Sequence, residues 1–262
     1  MNPIESNLVL AAADAPQPEA DKPDPVEQAF QDALQYELGG TRKALYVLED
    51  HINRTYGDAA ARREIVGRLL AMLENPEATH GCKDFACKKL MLLGGAESVP
   101  ALARLIGDDE TLAVLGRYAL EQMPQPEAAA ALRDALGRAK DRVLIGVVNS
   151  VGVRKDEQAV AALVRLLADE DTAVAVAAAA ALGKIGGSQA AAALGAARSK
   201  AAPEVRTEIR PALLACAEAL LASGDKDEAE AIYRELSGED EPEWIRAAVN
   251  KTVAPPETPQ DR

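Results

Sequence analysis

The chain has 262 residues, and 42 acidic against 29 basic side chains give it a formal net charge of −13. A nucleic-acid or anionic-membrane surface needs clustered Lys and Arg, so this balance argues against both kinds of partner. No apolar run reaches the ~18–20 residues of a membrane span. Aromatic residues make up only 3% of the chain, so alanine, leucine and valine must fill the interior.

Residues 1–24 are predicted to form an unfolded, acidic and proline-rich tail, because its prolines break helices and its acidic residues outnumber its one lysine. Within it, residues 8–15 (LVLAAADA) resemble the end of a secretion signal with an Ala-x-Ala cleavage site, although residues 1–7 carry no Lys or Arg. Two interpretations stay open. A signal would place the protein in the periplasm or outside the cell, whereas a plain tail fits the cytoplasm.

Glycine and proline pairs divide the next part of the chain into predicted helices. These helices are expected at about 25–38, 41–55, 58–74 and 82–93. The first pair, within residues 25–57, carries Phe30, Tyr36 and Tyr46 and is less repetitive than the middle of the chain. It is predicted to be a capping hairpin, because the terminal unit of a repeat array must cover one exposed core face.

From Ala96 to Ala202 one pattern of about 31 residues repeats. Its three registers are Leu102, Leu132, Leu163 and Leu194; Leu112, Val143, Val174 and Val205; and Leu120, Val151, Leu182 and Leu213. A fixed period of this length predicts stacked supersecondary units, none of which can bury its apolar face alone.

The clearest unit is Glu157–Gly187. Its first helix should bury Val160, Leu163, Val164 and Leu167, which share one helical face. Asp169–Asp171 with Thr172 supplies a polar break and an N-cap. The second helix should bury Val174, Ala178, Ala181, Leu182 and Ile185. Gly186-Gly187 should then end it at positive φ.

This unit resembles the HEAT repeat, and Val205-Arg206 supplies the Val-Arg pair typical of its second helix. Ala113, Leu144 and Ala175 stand where that arginine would be, so the Asp–Arg ladder between repeats is expected to be weak or missing. The resemblance implies an all-α fold, a right-handed α-solenoid of stacked antiparallel helix hairpins, with HEAT-like repeats over residues 58–211. The strings at 83–95, 116–137 and 146–167 resemble a group of bacterial HEAT-repeat proteins of the PBS-lyase HEAT-like type, often exported. That likeness implies a shape and no reaction.

Residues 212–254 are predicted to form capping helices, because the register changes there. The string at 216–236 resembles the second half of a tetratricopeptide-like hairpin, and Trp244–Val253 would be the last helix. Residues 255–262 begin with Pro-Pro and are expected to be an unfolded tail.

The sequence offers little catalytic chemistry. HEAT-repeat enzymes that hydroxylate a modified lysine hold two irons with His-Glu pairs, but Ile52 follows His51 and Gly81 follows His80. A zinc site of His80, Cys82 and Cys87 would lack a fourth ligand and a suitable spacing. These cysteines and Cys216 are expected to be buried free thiols. We therefore expect no catalytic residues, no metal and no cofactor.

A possible partner surface lies on the second helices, at positions expected to face the concave side. These positions are Val114, Arg117, Tyr118, Ile145, Val148, Asn149, Val176, Ala179 and Ala180. They are mostly apolar, and an apolar patch usually marks a contact surface. Either this face binds a peptide, a partner protein or the chain's own tail, or tight curling buries these side chains against neighbouring helices.

The expected function is a non-catalytic protein-binding scaffold or adaptor. The alternatives are an accessory or modification factor of the HEAT-type lyase class acting on a protein substrate, and a self-assembling subunit forming a homo-oligomer.

Overall fold

The computed structural model describes residues 23–107 and 109–253, and within these ranges all regular secondary structure is helical. The helices are α1 Pro25–Leu34, α2 Lys43–Arg54, α3 Ala59–Glu74, α4 His80–Leu93, α5 Val99–Arg104, α6 Glu110–Gln122, α7 Pro126–Leu136, α8 Asp141–Val153, α9 Val160–Leu166, α10 Thr172–Ile185, α11 Gly187–Arg198, α12 Pro203–Ser223, α13 Lys226–Leu236 and α14 Glu243–Val253. Short 3₁₀ turns at Ala96–Ser98 and Glu157–Ala159 precede α5 and α9. The tail sequences at 1–22 and 255–262, including the secretion-signal resemblance, lie outside the described residues.

The helices pair in order into seven hairpins, α1 with α2 through α13 with α14. The even-numbered helices from α4 to α12 contact one another in succession, more extensively than the odd-numbered ones do. The stack therefore curves toward the even-numbered helices, whose solvent-facing side we call the inner face. The repeat leucines at 102, 132, 163 and 194 are fully buried in one continuous core. The predicted all-α solenoid is confirmed.

The helix boundaries follow from local chemistry. Asp171 caps α10 by accepting a hydrogen bond of 2.8 Å from the backbone N–H of Ala173. Gly186 and Gly187 then end that helix at φ of +73° and +78°, as predicted. Asp58 caps α3 in the same way, and the hydrogen bonds from the Ala61 and Ala60 amides lower the pKa of its carboxyl.

Three sequence-based details were wrong. Helix α1 ends at Leu34 rather than near residue 38, because the Leu34 carbonyl accepts a hydrogen bond from the backbone N–H of Thr79 at 3.0 Å and so ties the chain to the start of α4. The boundary expected between 211 and 212 falls inside α12, which continues through it. Val164 is 37% exposed, because it lies at the margin of the helical face that buries Leu163 and Leu167.

Polar links between repeats are present, but not as an Asp–Arg ladder. Ala113, Leu144 and Ala175 are buried apolar residues. Ion pairs join neighbouring units elsewhere, from Arg104 to Glu74 and from Arg133 to Asp156. Neighbouring repeats are therefore linked by charged side chains at positions other than those of the HEAT ladder.

Arg154, just after α8, supplies another link by capping the preceding repeat. Its Nη1 donates to the carbonyl oxygens of Leu120 and Glu121, both at 2.9 Å, and to that of Met123 at 2.5 Å. These carbonyls lie at the C-terminal end of α6, where a helix has no further N–H groups of its own to donate to them. Burial lowers the pKa of this guanidinium, while Asp156 and Glu121 favour its charged form.

We expect Arg154→Met to lower the free energy of unfolding by about 1–3 kcal/mol, because it leaves these carbonyls without a donor. The control is Arg138→Met, which removes an exposed arginine bonded to one carbonyl at 3.4 Å and should change stability by less than about 0.5 kcal/mol. Urea denaturation followed by circular dichroism measures both. Equal effects of the two substitutions would contradict the capping role.

Candidate functional site

The even-numbered helices approach each other very closely in one half of the stack. A Cβ atom at Gly152 of α8 would lie 2.8 Å from the Cα of Ala181 in α10. A Cβ atom at Gly183 of α10 would lie 2.7 Å from the Cα of Ala212 in α12. The two contacts are one period apart, and each brings helix backbones together because glycine has no side chain. They close the inner face between α8 and α12.

One repeat earlier, polar side chains occupy the equivalent contact. Glu121 of α6 stands where Gly152 and Gly183 stand in later repeats, and Ser150 of α8 faces it. The Ser150 hydroxyl donates to Glu121 Oε2 at 2.6 Å and accepts from Arg117 Nη1 at 2.7 Å. Helices α6 and α8 therefore contact each other less extensively than α8 and α10 do.

Two adjoining cavities open on the inner face in this looser half. The cavity between α6 and α8 has a volume of about 280 Å³ and is lined by Glu110, Ala113, Val114, Arg117, Arg142, Val143, Ile145, Gly146 and Asn149. The cavity between α4 and α6 has a volume of about 160 Å³ and is lined by Asp84, Cys87, Lys88, Met91, Val114, Leu115, Tyr118 and Ala119. Val114 lines both. We call these two cavities together the inner groove.

The predicted partner residues divide between the groove and the core. Five line the groove: Val114, Arg117, Tyr118, Ile145 and Asn149. Val114 is 52% exposed and Tyr118 48% exposed, whereas the other three are half-buried. Val176 and Ala180 are half-buried on α10, outside the two cavities.

The prediction was wrong for Val148 and Ala179, which are completely buried. They share one repeat register with Ala86, also completely buried, and with Arg117, which bonds across to α8. That register points toward a neighbouring even-numbered helix, so close packing encloses it. Burial against neighbouring helices therefore accounts for Val148 and Ala179, and the binding of a partner at the accessible positions stays a prediction.

Sequence reasoning missed several groove residues, of which Gly146 is the most informative. A Cβ atom there would lie 3.0 Å from Nε of Arg117, so glycine leaves room for the guanidinium to lie against α8. Arg142, Val143 and Glu110 also line the cavity. The sequence did contain a signal for the looser contact between α6 and α8. Residue 121 is glutamate, whereas the equivalent residue in each of the next two repeats is glycine.

The three cysteines of the chain are held as protonated thiols. Cys87 lines the smaller cavity but is 2% exposed, and burial raises the pKa of its thiol to about 12. Burial likewise raises the pKa of Cys82 to about 11 and that of Cys216 to about 12. A thiol rather than a thiolate is a poor nucleophile at neutral pH.

Within residues 23–107 and 109–253, no group of three or more His, Cys, Asp and Glu side chains could hold a metal ion. None of the helices in the same ranges has the length and apolar character needed to cross a membrane.

The stacked hairpins and their inner groove define an α-solenoid, and a family model described as HEAT repeats matches residues 132–214. This part of the chain is therefore similar to HEAT repeats. Among solved structures the chain is similar to human deoxyhypusine hydroxylase in complex with glycerol, at 18% identity over 73% of this chain and 95% of that one, with a TM-score of 0.37. It is also similar to an engineered protein, at 21% identity over 74% and 96%, with a TM-score of 0.39. At these identities and TM-scores neither likeness bears on function. A comparison with curated proteins gave no match.

Proposed function

We propose that the chain is a non-catalytic protein-binding scaffold whose inner groove receives an extended segment of a partner protein. The observation that carries this proposal is the position of Val114, an apolar side chain that is 52% exposed and lines both cavities. Together with Tyr118 it forms an apolar surface inside a concave depression. Covering such a surface is favourable by about 25 cal/mol per Å² of apolar area removed from water.

The walls of the groove are formed by packed helices before any partner binds, which favours binding. They belong to helices from three successive hairpins, and the bonds among Arg117, Glu121 and Ser150 fix the spacing of two of them. A preformed site loses little conformational entropy when a ligand binds. The same bonds engage the polar groups of Arg117, Glu121 and Ser150 with one another, which supports a scaffold rather than an enzyme.

Replacing Val114 and Tyr118 together by glutamine tests this proposal. Glutamine keeps helix propensity but removes the apolar surface, so we expect at least about tenfold weaker binding of the partner. The matched control is glutamine at Val153 and Val164, which are 51% and 37% exposed and do not line the groove. Affinity capture from native extract, followed by titration of each captured protein, measures the effect.

Partners held equally by the groove variant and the control variant would place binding elsewhere and contradict the proposal. Light scattering over a range of concentrations addresses the self-assembling alternative. A homo-oligomer that the groove variant disrupts, with no other partner captured, would replace the scaffold proposal by self-assembly.

A further inference from the structure

The inner groove continues into a third and larger cavity at the turns before α6 and α8. This cavity has a volume of about 510 Å³ and is lined by Arg104, Ile106, Gly107, Glu110, Arg138, Ala139, Lys140, Asp141 and Val143. It shares Glu110 and Val143 with the cavity between α6 and α8. The apolar part of the groove and this third cavity therefore form one continuous depression.

The charge of this depression is opposite to that of the protein. Five basic side chains and two carboxylates line the two adjoining cavities, although the whole chain has a formal net charge of −13. Two of the five already have acidic partners, because Arg104 pairs with Glu74 and Arg117 pairs with Glu121.

The other three, Arg138, Lys140 and Arg142, share the lining with the carboxylates of Glu110 and Asp141, so the described residues leave a net excess of one positive charge. All three are exposed, and none forms an ion pair within the part of the chain that the structure describes. Helix α8 also begins at this edge, and no side chain caps the N–H groups of its first turn. Those donors add to the positive potential at the same place, and the carboxylate of Asp141 in the first turn offsets part of it.

We infer that the partner segment is acidic: it places an aliphatic side chain against Val114 and Ile145 and sets Asp or Glu carboxylates against Arg138, Lys140 and Arg142. The inference rests on the proposed function and names its ligand. Attraction between carboxylates and this cluster acts over about 8–10 Å at moderate salt, which covers only the depression itself.

The shape of the site favours a peptide over a nucleic acid. A nucleic acid needs a broad basic face, because its affinity comes from many phosphate contacts. Here three cations without an ion pair among the described residues stand at one end of a groove whose other end is apolar. That combination matches a segment with mixed acidic and aliphatic side chains.

The test is a selection of random 12-residue peptides displayed on phage, carried out on the full chain at low salt. We expect the enriched peptides to combine Asp or Glu with Leu, Ile or Val. Their dissociation constants, measured by fluorescence polarisation, should rise at least about tenfold in Arg138→Glu/Arg142→Glu and should also rise with salt concentration. The control is Arg63→Glu/Arg165→Glu, the same change at exposed arginines outside the depression, and it should alter binding by less than about twofold.

The other outcomes separate this inference from the proposed function. Enriched peptides without excess acid, insensitive to the Arg138/Arg142 reversal but lost on Val114→Gln/Tyr118→Gln, would overturn the acidic segment and keep the scaffold. Peptides that bind both variants as tightly as wild type, or no enrichment at all, would overturn the acidic segment and the scaffold proposal together. A single-stranded DNA 12-mer binding more tightly than the peptides, and lost in the same charge-reversed variant, would show that the cluster takes phosphates.

Discussion

Lysine in place of Val148 is expected to lower the free energy of unfolding by at least about 3 kcal/mol, or to prevent folding. Val148 has no exposed surface, so a lysine there must either bury its ammonium group or force α8 away from its neighbours. The equivalent position on the adjacent helix is Arg117, which is itself positive and cannot pair with the new ammonium group.

Lysine in place of Val176 is the control for this experiment. Val176 also lies on an even-numbered helix but is only half-buried, so its side chain can extend into water. We expect a loss of less than about 1 kcal/mol, measured by urea denaturation of both variants under the same conditions. Equally small losses would show that Val148 is accessible and that α8 does not pack closely against its neighbours.

The double substitution Gly152→Ala/Gly183→Ala is expected to lower the free energy of unfolding by about 3–5 kcal/mol. Each new Cβ would lie within 3 Å of an alanine Cα on the facing helix, and a helix backbone cannot move aside as the end of a flexible side chain can. This loss should far exceed the gain of about 1 kcal/mol per residue that alanine normally brings to a helix interior.

Gly67→Ala/Gly195→Ala provides a control with the opposite sign. Both glycines lie inside helices, α3 and α11, and nothing lies within 4 Å of an added Cβ. We therefore expect this variant to be more stable than wild type by about 1–2 kcal/mol. Stabilisation by both double substitutions would show that α8, α10 and α12 are not in close contact.

These two experiments together test why the groove occupies only half of the inner face. If Gly152 and Gly183 hold α8, α10 and α12 together, the accessible apolar surface must lie where the glycine contact is missing. That place is the α6–α8 pair, where Glu121 and Ser150 replace it. A partner would then be directed to the first half of the stack by the spacing of helices rather than by a difference in hydrophobicity.

The fold class and the repeat core were determined by the sequence, because both depend on local periodicity. Apolar positions that recur every 31 residues can be buried together only if the units stack, and the leucines at 102, 132, 163 and 194 are all buried accordingly. The end of α10 at Gly186-Gly187 was equally local, since positive φ is a property of the residue itself.

Only the tertiary structure decided which inner-face residues a partner can reach. Val114 and Val148 are both valines on second helices, yet one lines two cavities and the other has no exposed surface. The two valines lie in different repeat registers, and only the stack shows that the register of Val148 faces a neighbouring helix whereas Val114 faces the groove. The basic residues Arg138, Lys140 and Arg142 are close together in the sequence, but only the stack places them beside the end of α5 and next to the groove.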